Sequence, residues 1–379
     1  MDSLPDTHQA LVLDAIGQPL RVETRPTPKI TSGSAIIRVL AAGVLPYSRD
    51  IYNGKRYYEP PAPSVPGCAA IGRIVAVGTD ATKLQPGNLV LADAVIRGRD
   101  DPTTAALSGI SGGLSAASKR LMGTEWRDST YAQYARVPLE NCFVLDEKRL
   151  LGSPSDGGLG YDLDGLLYMA VQLVPYGGLR AVGVSAGDRV IISPATGSFG
   201  GTAVQIALAM GASVVAMGRK GEVLERLRSF FAPQYGEDRI QTVRMTNDVQ
   251  EEVTALARSG PADVFFDISP PQATGSTHVK SAILSLGHSG RVCLMGGQTG
   301  DQAIPPQAVM HRNLTIRGQW MYGRQEVLHL IRMVESGALK LGRDAGSRTV
   351  GSFPLEQWQQ AFDLAAERAG PGERVVLTP

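Results

Sequence analysis

The run Asp188-Arg-Val-Ile-Ile-Ser-Pro-Ala-Thr-Gly-Ser-Phe-Gly-Gly constrains this chain more than any other stretch. Val190 to Ile192 is a short β-branched run, suited to a buried parallel strand. A glycine-rich elbow, Gly197 to Gly201, follows it. Ala203, Val204, Ile206, Ala207 and Met210 then recur at helical spacing until Gly211 stops the helix, and Ser213 to Met217 reads as a second strand. Strand, tight turn, helix and strand make the opening unit of a doubly wound α/β sheet.

The elbow, Ala195-Thr196-Gly197-Ser198-Phe199-Gly200, carries Ala at the first glycine position of a G-x-G-x-x-G pattern. Gly197 lets the backbone approach a pyrophosphate, Gly200 lets the helix pack close to the strand, and the helix start offers free N–H groups to the anion. A strand-to-helix turn favours glycine for structural reasons alone, but both flanking elements are in place, so the elbow is read as a dinucleotide site. NAD sites place Asp or Glu about 20 residues further on, against the ribose hydroxyls. Here Gly218-Arg219-Lys220 stands at that place. No carboxylate repels a 2′-phosphate, and two cations are positioned to pair with one, so the expected cofactor is NADPH/NADP. The plain alternative is a pair of solvated cations at a helix start, where the helix dipole favours acids instead.

A chain of 379 residues, 43% of them hydrophobic, can bury a core large enough for two domains. The net charge of +1 and the lack of a long basic run argue against nucleic acid as a partner. No apolar run approaches the ~18 residues needed to span a bilayer. Met1-Asp-Ser-Leu-Pro-Asp has neither the basic start nor the apolar stretch of a signal peptide. Three widely separated cysteines, Cys68, Cys142 and Cys293, suit a reducing compartment, so a cytoplasmic protein is expected.

Short β-rich runs (Ala10 to Asp14, Ala35 to Val39, Ala69 to Val77, Leu89 to Val95) separated by Pro/Gly turns predict a compact, partly barrel-like β domain. Arg97 to Asp128 reads as a surface excursion, and Tyr131 to Val137 as a return to strand. Asp162 to Leu179 is predicted helical. Further strands are expected at Ala262 to Ser269, Arg291 to Gly297 and Leu314 to Gln319, and helices at Gln325 to Glu335 and Leu355 to Glu367. A last strand at Val375 to Leu377 is expected to complete the β domain.

Five segments carry a resemblance. They are Val65-Pro-Gly-Cys-Ala-Ala-Ile-Gly-Arg-Ile-Val-Ala-Val-Gly, Leu84-Gln-Pro-Gly-Asn-Leu-Val, the elbow, Gly290-Arg-Val-Cys-Leu-Met-Gly-Gly and His311-Arg-Asn-Leu-Thr-Ile-Arg-Gly. In that order the chain resembles the medium-chain dehydrogenase/reductase superfamily of zinc alcohol dehydrogenases and quinone oxidoreductases. The resemblance implies a GroES-like, β-rich catalytic domain (1–165, completed by 323–379), a Rossmann domain with a doubly wound parallel sheet (166–322), and a cleft between them.

The departures from that pattern bear on chemistry. Zinc members hold a catalytic metal with Cys, His and a further Cys or acid, whereas this chain has Leu45 at the first ligand position and Cys68-Ala69 at the His-Glu position. Only His8 of the five histidines precedes residue 278, and the 97–128 excursion has no cysteine, so neither a catalytic nor a structural zinc is expected. Without a Lewis acid, hydride must go to an acceptor that is already electron-poor. The expected substrate is a conjugated enone, an enal or a quinone, with a hydrogen-bond donor at the developing oxyanion. The alternatives are an NADP-linked ketone reductase or alcohol dehydrogenase without zinc, and a non-redox or purely NADPH-holding protein on the same fold.

Candidate donors are Tyr47, which the resemblance places where zinc members carry a proton-relay Ser or Thr, together with Ser48 and Tyr57; each tyrosine can equally be a packing aromatic. Met295-Gly296 is expected to offer backbone groups to the nicotinamide carboxamide. Cys68, Trp126, Trp320 and Met321 are the candidate pocket-lining residues, with Cys68 read as a small buried thiol in the vacated metal space. The strand near Leu314 to Gln319 lies at a sheet edge that relatives use for dimers, so a homodimer is expected.

Overall fold

The computed structural model describes residues 4–379. Six strands, Arg189–Ser193, Ser213–Gly218, Ile240–Arg244, Ala262–Asp267, Leu286–Leu294 and Thr315–Gly318, form one parallel sheet. Their spatial order is third, second, first, fourth, fifth, sixth. The order reverses between the first and fourth strands, so the crevice beyond their C-terminal ends is the expected ligand position. Strand alternation divides the core in two: Val190 and Ile192 face the helices Tyr168–Ala181 and Ser198–Ala209, while Ile191 faces Val249–Ala257 and His278–Leu284. Being buried on both faces explains the unbroken apolar runs.

A second, seven-stranded sheet gathers Ser34–Val44, Ala70–Val77, Leu89–Ala92, Tyr134–Pro138, Cys142–Val144, Arg348–Phe353 and Glu373–Leu377. The last strand pairs antiparallel with Ser34–Val44, opposing Val376 to Gly43, so the tail closes this sheet beside its longest strand. The fold is thus α/β, a β-rich sheet beside a doubly wound parallel sheet, as expected from the sequence.

Two stretches differ from the sequence reading. The 97–128 excursion is structured: Val95–Arg97 pairs with Ala105–Leu107, the helix Ala116–Gly123 follows, and Ile96, Ala106, Met122 and Trp126 form a satellite core. The helix start is capped reciprocally by Ser115 and Ser118, a pairing hard to distinguish from a polar loop in sequence. The fifth parallel strand starts at Leu286 rather than Arg291, because a bulge and a left-handed Ser289 (φ 60°) hide its early part. Among the described residues no helix is long and apolar enough to cross a membrane.

The two sheets are joined through close backbone approach. A Cβ on Gly177 would lie 2.5 Å from the Met321 carbonyl oxygen, and one on Gly178 would lie 2.5 Å from the Phe266 ring. Only glycine lets the helix Tyr168–Ala181 bear directly on the linker after the last parallel strand. That linker is tied to the β-rich side by Arg97, which donates to the Tyr322 carbonyl (2.9 Å), and by the Tyr322 hydroxyl, which donates to Asp93 (2.6 Å). Gly177→Ala is expected to destabilise the chain by about 1–3 kcal/mol through overpacking. Gly370→Ala, where a Cβ meets nothing within 4 Å, is expected to stay within about 0.5 kcal/mol of the parent. Urea unfolding of both variants checks the difference.

Candidate functional site

The elbow builds one end of the candidate site. The helix Ser198–Ala209 starts from Gly197 with no side-chain cap, which leaves its first N–H groups without a partner inside the helix. A Cβ on Gly197 would meet nothing within 4 Å, whereas one on Gly200 would sit 1.9 Å from the Pro194 carbonyl oxygen. The first glycine therefore faces open space and the second maintains the close packing of helix on strand. Ala195, which is fully buried, donates its N–H to Met217 (2.8 Å) and locks the elbow to the second strand. Thr196 packs so near that a Cβ at Gly218 would lie 2.7 Å from its methyl, so the strand end has no room for an acid at 218.

Arg219 and Lys220 follow directly, both exposed, and neither side chain makes an ion pair or a hydrogen bond among the described residues. The sheet register adds a cation that sequence reasoning missed: Gly218 opposes Arg244 on the neighbouring strand, and Arg244 is exposed as well. A second missed residue is Arg374. Its guanidinium lies over the Tyr168 ring (5.6 Å), and the Tyr168 hydroxyl bonds Thr202, which donates to the Ser198 carbonyl (2.8 Å). Burial lowers the pKa of Arg374, and its Nη1 is buried without a partner. A buried guanidinium whose Nη1 is unpartnered while its Nε donates to the Asp164 carbonyl (3.4 Å), two side chains from an uncapped helix start, suits a phosphate-bearing ligand, so the residues present fit a dinucleotide.

On the other wall, the loops after the fourth and fifth parallel strands are cross-tied. Met295 donates its N–H to Asp267 (2.9 Å) and Gly297 to Ser269 (2.8 Å), while the N–H of Gly296 has no backbone partner among the described residues. A Cβ on Gly296 would meet the Asp267 carboxylate at 2.3 Å. Beneath it Asp267, Ser269 and His278 form a fully buried hydrogen-bonded cluster that fixes both loops, a role not visible in the sequence.

At the substrate end Cys68 is buried, and its thiol donates to the Gly43 carbonyl (3.0 Å), which also accepts from the Tyr131 hydroxyl (2.9 Å). Burial pushes the thiol up to about 12, so it is neutral and inert at ordinary pH. Leu45 and Ala69 supply no donors, and among the described residues no group of three or more His, Cys, Asp or Glu converges. The donor set at the metal position does not fit zinc.

Tyrosines occupy the surroundings. Tyr47 and Tyr58 lie nearly parallel (centroids 6.1 Å, 7°), and the Arg56 guanidinium covers the Tyr47 ring at 3.9 Å. Burial raises the Tyr47 phenol well above its usual range, so it keeps its proton. The remaining candidates fall elsewhere. Tyr58 donates its N–H to the Arg56 carbonyl (2.8 Å), a three-residue turn that sends Arg56 and Tyr58 inward and leaves Tyr57 87% exposed. Ser48 is buried and accepts the Leu45 N–H (3.0 Å), so it anchors the start of the helix Ser48–Tyr52. Trp126 sits in the satellite core under Arg136, not in the cleft. Trp320 is half-exposed, and Met321, in a left-handed conformation (φ 54°), packs partly buried against the main core.

Comparison with known proteins agrees with this architecture. A family model described as alcohol dehydrogenase GroES-like domain matches residues 31–147, and one described as zinc-binding dehydrogenase matches 199–336; together they cover about two-thirds of the chain. The chain is an alcohol-dehydrogenase-like member of the medium-chain dehydrogenase/reductase superfamily. It is accordingly an oxidoreductase with a nicotinamide-cofactor fold. Among curated relatives, the L-threonine 3-dehydrogenase of Anaeromyxobacter sp. (strain Fw109-5) is 23% identical over 94% of each chain. A short chain alcohol dehydrogenase from E. coli CFT073 complexed with NADH superposes with a TM-score of 0.75 at 19% identity, covering 99% of this chain and 100% of that one. A putative zinc-binding dehydrogenase from Sinorhizobium meliloti 1021 bound to NADP gives 0.73 at 19% identity, with the same coverage. At these identities the structures establish the fold alone.

Asp93 gives this dehydrogenase a pH signature. Burial pushes its carboxyl up to about 6, against the hydrogen bond from Tyr322 that partly counters it. The folded state then holds a proton that the unfolded chain has released, so stability falls as pH rises from about 4 to about 6. Asp93→Asn, which keeps an acceptor for Tyr322, is expected to flatten that slope. Thermal midpoints across this range check it, and parallel profiles for parent and variant would remove Asp93 as the cause.

Proposed function

We propose that this chain is an NADP(H)-dependent, zinc-independent reductase of conjugated enones, enals or quinones. The observation that carries the reading is the replacement of a ligand set by Leu45, Cys68 and Ala69 inside a shell of protonated tyrosines. Such a site holds hydrogen-bond donors and no Lewis acid, which suits acceptors that need only oxyanion stabilisation. NADPH, when bound at the elbow, supplies a hydride. Tyr47 would donate a hydrogen bond to the developing enolate or quinol oxygen, with Tyr58 stacked beside its ring and Arg56 favouring negative charge nearby. Arg219, Lys220 and Arg244 support the choice of the phosphorylated cofactor, because each is exposed beside a strand end that has no acid at Gly218. The exposed edge of the parallel sheet at Thr315–Gly318 is consistent with a homodimer.

A metal-free ketone reductase relaying protons through Tyr47 and Ser48 is the competing reading. The engagement of Ser48 with the Leu45 N–H weighs against it. One assay separates the possibilities: nicotinamide absorbance is followed with small enones, quinones and ketones, under NADPH and under NADH. The expected result is NADPH consumption with an enone or a quinone, and a fall of about 10–100-fold in the NADPH-over-NADH preference in Arg219→Ser. Turnover of ketones alone would replace this reading with the ketone-reductase one. No turnover of any acceptor, with NADPH still bound, would favour a non-redox role.

A further inference from the structure

Arg56 has no partner that explains its position. Its guanidinium lies 3.9 Å from the centroid of the Tyr47 ring and 5.7 Å from that of Tyr58. Its Nε is buried and makes no hydrogen bond, and Arg56 appears in none of the ion pairs among the described residues. The acid closest in sequence, Glu59, pairs with Lys119 instead. The backbone is fixed on both sides of the residue, with the Arg56 N–H donating to Asp50 (2.8 Å) and the Arg56 carbonyl accepting from Tyr58. The side chain is thus held inward by a rigid turn.

A half-buried cation with an orphaned N–H is costly unless something completes it. The aromatic face offsets part of that cost, but it occupies the flat side of the guanidinium and leaves the edges unused. The Nε edge is one that binds a planar oxyanion through two parallel hydrogen bonds. Aromatic, partly dehydrated surroundings favour a monoanion over a phosphate dianion, whose desolvation costs more.

From this geometry we infer that the substrate carries a carboxylate, bound by Arg56 beside Tyr47. This rests on the reductase reading for the identity of the cleft and narrows its substrate class to conjugated keto acids or similar acidic acceptors. Arg56 is then a specificity residue, holding the acid end of the substrate while Tyr47 serves the reacting carbonyl.

Levulinate and methyl levulinate, saturated probes with no conjugated double bond, are titrated by calorimetry into the full chain with NADP and no reduced cofactor, so that no hydride is available. The acid is expected to bind at least about tenfold tighter than the ester. Arg56→Gln should abolish that preference and Arg56→Lys should keep part of it, with thermal midpoints matching the parent. Equal or undetectable binding of the two probes, or an Arg56→Gln variant that weakens both alike, overturns the inference. Should Arg56→Gln not fold, the parent's acid-over-ester ratio and Arg56→Lys decide. Turnover is read separately with acetylacrylate and its methyl ester. Reduction of both without any acid preference in binding overturns the carboxylate assignment and leaves the enone reading intact. Acid-selective binding without reduction of either upholds the assignment and sinks the enone reading.

Discussion

An uncapped helix start facing an open crevice is the constraint around which this chain is arranged. The first N–H groups of Ser198–Ala209 have no partner in the helix and no capping side chain, and burying them dry would be unfavourable. The surrounding structure keeps them accessible and brings positive charge towards them. Gly200 allows the helix to touch the Pro194 carbonyl, Ala195 is hydrogen-bonded to the second strand, and Arg374 arrives from the C-terminal strand with an unpaired Nη1. An anion suits free N–H groups at a helix start.

The second organising feature is the hydrogen-bonded surroundings of the buried Cys68. Where a ligand set would need convergent thiolates and imidazoles, this chain places Leu45, a neutral Cys68 and Ala69. The hydroxyl of Tyr131 and the thiol of Cys68 share the Gly43 carbonyl, so the vacated space is closed by hydrogen bonds. Tyr322, on the linker after the last parallel strand, reaches Asp93 on the β-rich side, and Arg97 holds its carbonyl, so the joint between the two sheets is tied by polar contacts.

Much of this was legible in the sequence because it depends on local rules. The strand, elbow and helix at 188–211 follow from β-branched spacing, glycine and helical periodicity, and the C-terminal strand follows from its apolar run. What was not legible depends on register and on turns. Arg244 joins Arg219 only because parallel pairing sets it opposite Gly218. Tyr58 rather than Tyr57 faces Tyr47 because a three-residue turn decides which neighbour points inward, and both residues are tyrosine. Trp126 followed the same logic: an aromatic after a polar loop looked like a cleft wall, yet Ile96, Ala106 and Met122 draw it into a core of their own. The Asp267–Ser269–His278 cluster needs a fold to bring a helix over a strand end.

The central claim is that electron transfer here needs no metal. Its most direct test is the zinc content of the chain as purified, measured by mass spectrometry before any chelation, alongside its NADPH-dependent reduction of an enone before and after exhaustive chelation. The account predicts far less than one zinc per chain and a rate unchanged by chelation or by added zinc. Stoichiometric zinc, with activity lost on chelation and restored by the metal, would contradict it.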